Sequence, residues 1–169
     1  RLVEQRSNNR ILVSINSEGL VDDKRPIEAL KDNSIQMVAS RISEFYTLYP
    51  QLQLFDLPFL FNSINHLHRV IDGGIGTKLL EGASKNGLVA LSFWDDGFRQ
   101  FTANKPLWRP EQVKGLRFNI IESDVLKKQF RALGAEPQSV QQEQLYITLK
   151  ENTIDGQENT LADIYAQKL

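Results

Sequence analysis

Short β-rich runs alternate with segments of helical composition along this chain, and that alternation limits the fold more than any other feature. Ile11 to Ile15 is such a run, Asp22 and Asp23 stand where they can cap a helix through Lys31, and Ile35 to Ala39 is a second apolar run. A strand, helix, strand cadence implies parallel strands joined by right-handed helical crossovers. The expected fold class is therefore α/β with mainly parallel sheets. Arg1 to Ser7 has helical composition and stops at Asn8-Asn9, so the start of the domain is expected upstream of Arg1.

The middle of the chain is richer in aromatic residues. Phe45 to Tyr49 forms an aromatic patch, and Leu52 to Phe61 is the most apolar segment, interrupted by Asp56 and Pro58. Pro58 excludes a regular central strand there and favours a packed connection or an edge element. A helix is expected from Ser63 to Ile71, ended by Asp72-Gly73-Gly74, and another from about Ile75 to Ser84, stopped by Asn86-Gly87. Leu88 to Trp94 then reads as a buried strand, Asp95-Asp96-Gly97 as a turn, and Phe98 to Thr102 as a further strand that presents Arg99 between two phenylalanines. An arginine beside a strand end stands where open α/β sheets place their ligands, and its planar fork suits a carboxylate. The alternative is an ion pair with Asp95 or Asp96.

The second half repeats the cadence without a sequence repeat. Pro106, Trp108 and Pro110 mark a crossing between domains, placed at 104/105, and Glu111 to Lys114 forms a single helical turn. Leu116 to Ile120 alternates apolar and polar residues, which puts Arg117 and Asn119 on one strand face. A helix capped by Ser123 or Asp124 carries Val125, Leu126, Phe130 and Leu133 and stops at Gly134. A short strand at Gln138 to Val140, a helix at Gln141 to Glu151 and a strand at Thr153 to Asp155 breaking at Gly156 follow. Asn159 or Thr160 is the expected N-cap of a last helix at Leu161 to Ala166.

Composition removes several functional classes. A net charge of -1 and a pI near 6.2 provide no field for nucleic acid, and no run reaches the length of a membrane span. The absence of cysteine excludes disulfides, thiolate zinc sites and a cysteine nucleophile. Gly73 to Lys78 lacks the spacing and the preceding strand of a phosphate loop. His66 and His68, two apart on a helix, point to different faces and do not form a shared metal site. No cofactor is implied.

Four motifs in this order carry a resemblance: F-D-L-P-F-L-F at Phe55 to Phe61, F-W-D-D-G-F-R-Q-F-T at Phe93 to Thr102, K-G-L-R-F at Lys114 to Phe118, and D-G-Q-E-N at Asp155 to Asn159. They resemble the extracytoplasmic solute-binding proteins of TRAP transporters, in particular the dicarboxylate-binding DctP type, and the likeness extends from Leu2 to Leu169. It implies a two-lobed, periplasmic-binding-protein-like fold, with 1–104 in a first lobe lacking its opening strand and 105–169 in a second lacking its closing elements. The implied role is non-enzymatic: a cleft closes over a small organic acid, of the four-carbon dicarboxylate kind, and delivers it to TRAP membrane subunits from the periplasm, after a signal sequence upstream has been used.

The resemblance also assigns residues. Arg99 matches the arginine of the G-F-R run and Asn159 the asparagine of Q-E-N, both of which meet the ligand carboxylate in the family. The family's main clamping arginine falls on Asn119, which cannot form a charged fork. Arg117 on the same strand face is the nearest compensating cation, and Arg41 could meet a second carboxylate. Thr160 replaces the family's proline after Q-E-N. Two other functions are compatible with these residues: a ligand-sensing domain for a signalling partner, and an α/β enzyme with Asp95, Asp96 or Glu158 as acid or base.

Overall fold

The computed structural model of the chain describes residues 1–15, 26–84 and 87–169. It divides into two compact units, Arg1–Ser40 and Arg41–Leu169. In the first, helix α1 (Leu2–Arg6) ends where Asn8 and Asn9 adopt φ of 51° and 58°, a left-handed conformation that asparagine tolerates. Helix α2 (Pro26–Lys31) carries proline at its first position, where a missing N–H is harmless. The proposed caps Asp22 and Asp23, like Asn86 at the later stop, lie outside the described residues.

The two apolar runs of this unit do not form the expected strands. Ile11 to Ile15 and Ile35 to Ala39 have no ladder, and Leu12 and Ile15 are 76% and 85% exposed. β-propensity supplies only half of a strand, because its N–H and C=O groups need a neighbouring chain, and none runs beside these segments among the described residues.

The second unit begins with two 3₁₀ segments, Ile42–Phe45 and Pro50–Asp56, in the aromatic region where Pro58 excluded a strand. Helix α3 (Ile64–Ile71) is capped by Ser63, whose hydroxyl accepts from the His66 N–H, and helix α4 (Gly74–Ala83) follows almost at once. The tight corner explains Gly73 and Gly76, where a Cβ would lie 2.7 Å from the Arg69 and 1.8 Å from the Ile71 carbonyl oxygen; Gly74 has open space. Gly73 and Gly76 thus serve the close approach of the two helices. Leu88 to Trp94, expected as a buried strand, is unpaired, with Val89 78% and Trp94 88% exposed, again because no strand lies alongside it among the described residues.

Four strands form one sheet in the order β1 (Arg99–Ala103), β4 (Gly156–Thr160), β2 (Arg117–Asn119), β3 (Glu136–Gln138). β1 runs antiparallel to β4, whereas β2 is parallel to both β4 and β3. Helix α5 (Asp124–Ala132) crosses from β2 to β3, and helix α6 (Gln142–Lys150) returns from β3 to β4 on the far side of β2. Right-handed crossovers in opposite directions put these helices on opposite faces. On the α5 face Phe101, Phe118 and Phe130 pack with ring centroids 4.8 to 5.7 Å apart, joined by Val113, Ile120, Leu126 and Ala135.

Two strands differ in position from their expected places. β3 starts two residues earlier than Gln138, and the last strand begins at Gly156 instead of ending there. All five residues of β4 are buried although none is apolar beyond glycine, so hydrophobic patterning could not reveal it. β1 also pairs across residue 104 with β4, which puts Arg99–Ala103 in the same sheet as the strands beyond the expected crossing. Helix α7 (Leu161–Gln167) completes the unit, its first turn capped by Thr160 Oγ1 accepting from the Asp163 N–H.

Gly156 sits in a crowded place between β1 and the Phe118 ring of β2: a Cβ there would meet the Thr102 carbonyl oxygen at 2.6 Å and the Phe118 ring at 2.7 Å. Gly156→Ala is expected to destabilise the protein by about 1–3 kcal/mol through overpacking. A lowered urea midpoint at unchanged slope is the measurement that checks it.

Candidate anion-binding site

The parallel strands β2, β3 and β4 end on one rim of the sheet, and antiparallel β1 begins there. Asn119 closes β2, Asn159 and Thr160 close β4, and Arg99 opens β1 opposite Thr160. This carboxyl-end rim is where open α/β sheets bind ligands. Strand alternation separates the side chains: Arg99, Phe101, Phe118, Glu158 and Thr160 share the α5 face, whereas Asn119, Gln157, Asn159, Gln100 and Thr102 share the other. The structure therefore gathers Arg99, Asn119 and Asn159 at one rim but not on one face.

Arg99 does not pair with Asp95 or Asp96. Its Nε donates to Glu158 Oε1 and its Nη2 to the Glu158 carbonyl oxygen at 2.9 Å, while Nη1 has no hydrogen-bond partner among the described residues. Asp95 meets His68 Nε2 at 2.8 Å instead, and Asp96 Oδ2 accepts from the Thr160 hydroxyl at 3.3 Å. The arginine is half-buried and Glu158 almost completely buried. Burial pushes the Glu158 carboxyl above the ordinary carboxylate range, against the pull of Arg99.

A second, half-buried acid lies in the same electrostatic field. Asp56, at the end of the 3₁₀ segment that packs on α5, accepts from the Ser123 hydroxyl at 2.5 Å. Burial raises its carboxyl too, with the hydroxyls of Ser123 and Tyr46 and the Arg99 charge acting in the opposite direction. Tyr46, 6% exposed, completes the group; burial first and then the Asp56 charge raise its phenol. Tyr46 and Asp56 escaped assignment from sequence, while Glu158 was named only as an acid or base of the enzymatic alternative and Ser123 only as a helix cap. The available signal was an acid inside an apolar run at Asp56 and one inside the polar strand at Glu158.

The remaining candidates have partners. Asn119 Oδ1 accepts from the Val140 N–H at 2.9 Å, and Asn159 Oδ1 from the Thr160 N–H at 3.0 Å, which leaves both amide NH₂ groups without a partner among the described residues. Arg41 Nη2 meets Asp163 Oδ2 at 3.1 Å, beside the rim at the start of α7. Arg117 stands at the other end of β2. Its Nε and Nη2 grip both Asp155 carboxylate oxygens at 2.9 Å, and Nη2 also donates to the Asn152 carbonyl oxygen at 2.7 Å. It is held by the strand entrance, away from the rim.

Among the described residues no group of three or more His, Cys, Asp and Glu could hold a metal ion, and no helix is long and apolar enough to cross a membrane.

The family model for the bacterial extracellular solute-binding proteins of family 7, DctP, matches residues 1–169. The C4-dicarboxylate-binding protein DctB of Bacillus subtilis is 36% identical over 169 residues, which are 99% of this chain and 48% of that protein. A TRAP periplasmic solute-binding protein from Shewanella oneidensis, solved with bound succinate, is 43% identical with a TM-score of 0.88, over 99% of this chain and 55% of that one. Another from Pseudomonas aeruginosa, with bound L-malate, is 35% identical with a TM-score of 0.90, over 99% and 58%. The chain spans about half the length of the curated relatives it matches.

The Arg117–Asp155 pair has a definite pH signature. The Arg117 hydrogen bonds hold the Asp155 carboxyl down to about 2, so its contribution to stability is present above the ordinary carboxylate pKa and is lost as pH falls through about 2. Asp155→Asn is expected to flatten the acid limb of the stability profile, with melting temperature against pH as the readout.

Proposed function

The chain belongs to the DctP family of bacterial extracellular solute-binding proteins, and we propose that the protein of which it is part binds a four-carbon dicarboxylate. The observation that carries this reading is the rim: Arg99 offers a free guanidinium Nη1 there, and Asn119 and Asn159 offer amide donors from the adjoining strands. A small organic anion seated across the strand ends would meet all three. The relatives with bound succinate and L-malate support the ligand class. The antiparallel β1/β4 pair serves as the crossing between a first lobe over 1–104 and a second over 105–169. Delivery to TRAP membrane subunits and a periplasmic location complete the proposal.

Asn119 sets the affinity. A hydrogen bond to a charged partner is worth about 1.5 to 3 kcal/mol, against about 0.5 to 1.5 for a neutral pair, and here the carboxylate supplies the only charge at this position. Arg117 offers no replacement, because Asp155 and Asn152 hold it one strand length away. Arg41 at the rim is the candidate for a second carboxylate, exchanging Asp163 for the ligand.

The test is a thermal-shift screen of the full mature protein against succinate, L-malate, fumarate, monocarboxylates and uncharged sugars. The melting temperature rises with the four-carbon dicarboxylates, by mass action on the folded state. A rise with uncharged sugars alone overturns the reading. Asn119→Arg is expected to tighten dicarboxylate binding about tenfold, measured by calorimetry; unchanged affinity would remove Asn119 from the site.

A further inference from the structure

The segment that leads into β1 has no ladder among the described residues and is held by side chains instead. The Ala90 N–H donates to Ser84 Oγ at 3.0 Å, and the Phe93 ring packs on Phe55 with centroids 5.3 Å apart. Asp95 and Asp96 follow, four and three residues before Arg99. Their partners differ: Asp95 has the His68 ring nitrogen at 2.8 Å, Asp96 the Thr160 hydroxyl at 3.3 Å. A hydroxyl does not neutralise a carboxylate, 3.3 Å is long for an O–H···O bond, and Asp96 is exposed, so it is weakly held.

Thr160 sets that acid beside the anion site. It lies directly opposite Arg99 in the antiparallel β1/β4 pair, so the two side chains share a face, with Cβ atoms roughly 4.5 to 5.5 Å apart. The Asp96 carboxylate is therefore parked one side chain away from the Arg99 fork. Glu158 occupies Nε and Nη2 of that fork and leaves Nη1 without a partner among the described residues. The donor assigned to the ligand thus stands beside an internal carboxylate that a neutral hydroxyl restrains. Moving from a hydroxyl to a guanidinium adds opposite charge to the hydrogen bond, so the acid passes to Arg99 once the hydroxyl is lost.

We propose that Asp96 is a built-in competitor of the ligand for Arg99, and that the Thr160 hydroxyl restrains it. Affinity for an anion then depends on how firmly Thr160 holds the acid. Held, Asp96 only repels an arriving carboxylate across one side chain; released, it occupies Nη1 itself. Asp95 takes no such part, because His68 already answers it. This inference rests on the reading of Arg99 as the anchor of a dicarboxylate.

Fumarate is the probe, titrated by calorimetry into the full mature protein at low and at raised salt. Asp96→Asn is expected to bind it about two- to fivefold more tightly than the wild type, an advantage that shrinks as salt screens the charge. Thr160→Val keeps the shape, loses the hydroxyl and is expected to bind about two- to fivefold more weakly. The double variant separates the two uses of Thr160, whose hydroxyl also caps α7. With no acid to release, it binds no more weakly than the wild type. A loss that persists in the double variant overturns the proposal, as does unchanged or weaker binding in Asp96→Asn. If Thr160→Val does not fold, Asp96→Asn decides alone by the same criterion. A wild type that does not bind fumarate counts against the dicarboxylate reading, and NMR of the Arg99 guanidinium in the unliganded protein then decides. A shift in Thr160→Val that is absent from the double variant supports the competitor, whereas no shift, or the same shift in both, overturns it.

Discussion

Burying the Gly156–Thr160 strand is the constraint on which the rest of residues 41–169 depends. Two amide side chains, a carboxylate and a hydroxyl are taken out of water in five consecutive positions, and each such group destabilises the fold unless it finds a partner. Thr102 meets Gln157 at 2.8 Å, Arg99 meets Glu158, and Asp96 meets Thr160. These partners come from β1 or the segment just before it. Antiparallel pairing with β1 is therefore as necessary to β4 chemically as it is for backbone hydrogen bonds, and Gly156 lets the two strands and the Phe118 ring come close enough to make it.

Two arginines stand at opposite ends of this arrangement and behave differently. Arg117 grips Asp155 in a bidentate pair at the entrance to β4 through Nε and Nη2, with Nη2 also on the Asn152 carbonyl oxygen. Such a pair fixes the strand register and is largely solvated. Arg99 at the exit differs in its partner: the Glu158 carboxylate is nearly inaccessible, whereas the Asp155 carboxylate is partly exposed, and in both arginines Nη1 has no hydrogen-bond partner among the described residues. Breaking a buried pair of this kind is far more disruptive than breaking an exposed one, so Glu158 constrains where the Arg99 fork can point. The same residue type thus closes a partly solvated pair at one rim and a buried one at the other.

The sequence made the helices legible and several strands illegible, for one physical reason. Helices α3, α5 and α7 announce themselves through Ser63, Ser123 and Thr160, whose hydroxyls accept from N–H groups three residues on, and such caps are local. Strands are not local. Ile11–Ile15, Ile35–Ala39 and Leu88–Trp94 have strand composition and no neighbour among the described residues, whereas β4 has the composition of a loop and lies in the middle of the sheet. The same limit applied to the site. Arg99 was visible as an arginine between phenylalanines, but its partner is 59 residues away, and the Ser123 contact to Asp56 spans 67. The nearer acids Asp95 and Asp96 were the obvious choices by spacing, and both are engaged elsewhere.

The rim also shows why replacing a cation with Asn119 is tolerable for the fold and consequential for binding. Asn119 Oδ1 holds the Val140 N–H, a backbone donor just past β3 that an arginine, having no acceptor, could not satisfy. The amide therefore has a structural use on the strand-exit side while its NH₂ group remains available. What it withdraws is positive charge. Around the rim Asp56, Asp96, Glu158 and Asp163 are set against Arg99 and Arg41, so carboxylates outnumber guanidinium groups before any ligand arrives. A doubly charged ligand adds to that imbalance. Coordination by amides and hydroxyls cannot correct it, because neutral donors direct an anion without neutralising it. Recognition at such a rim has to draw either on release of an arginine from its internal partner, as Arg41 can be released from Asp163, or on protonation of the acids themselves.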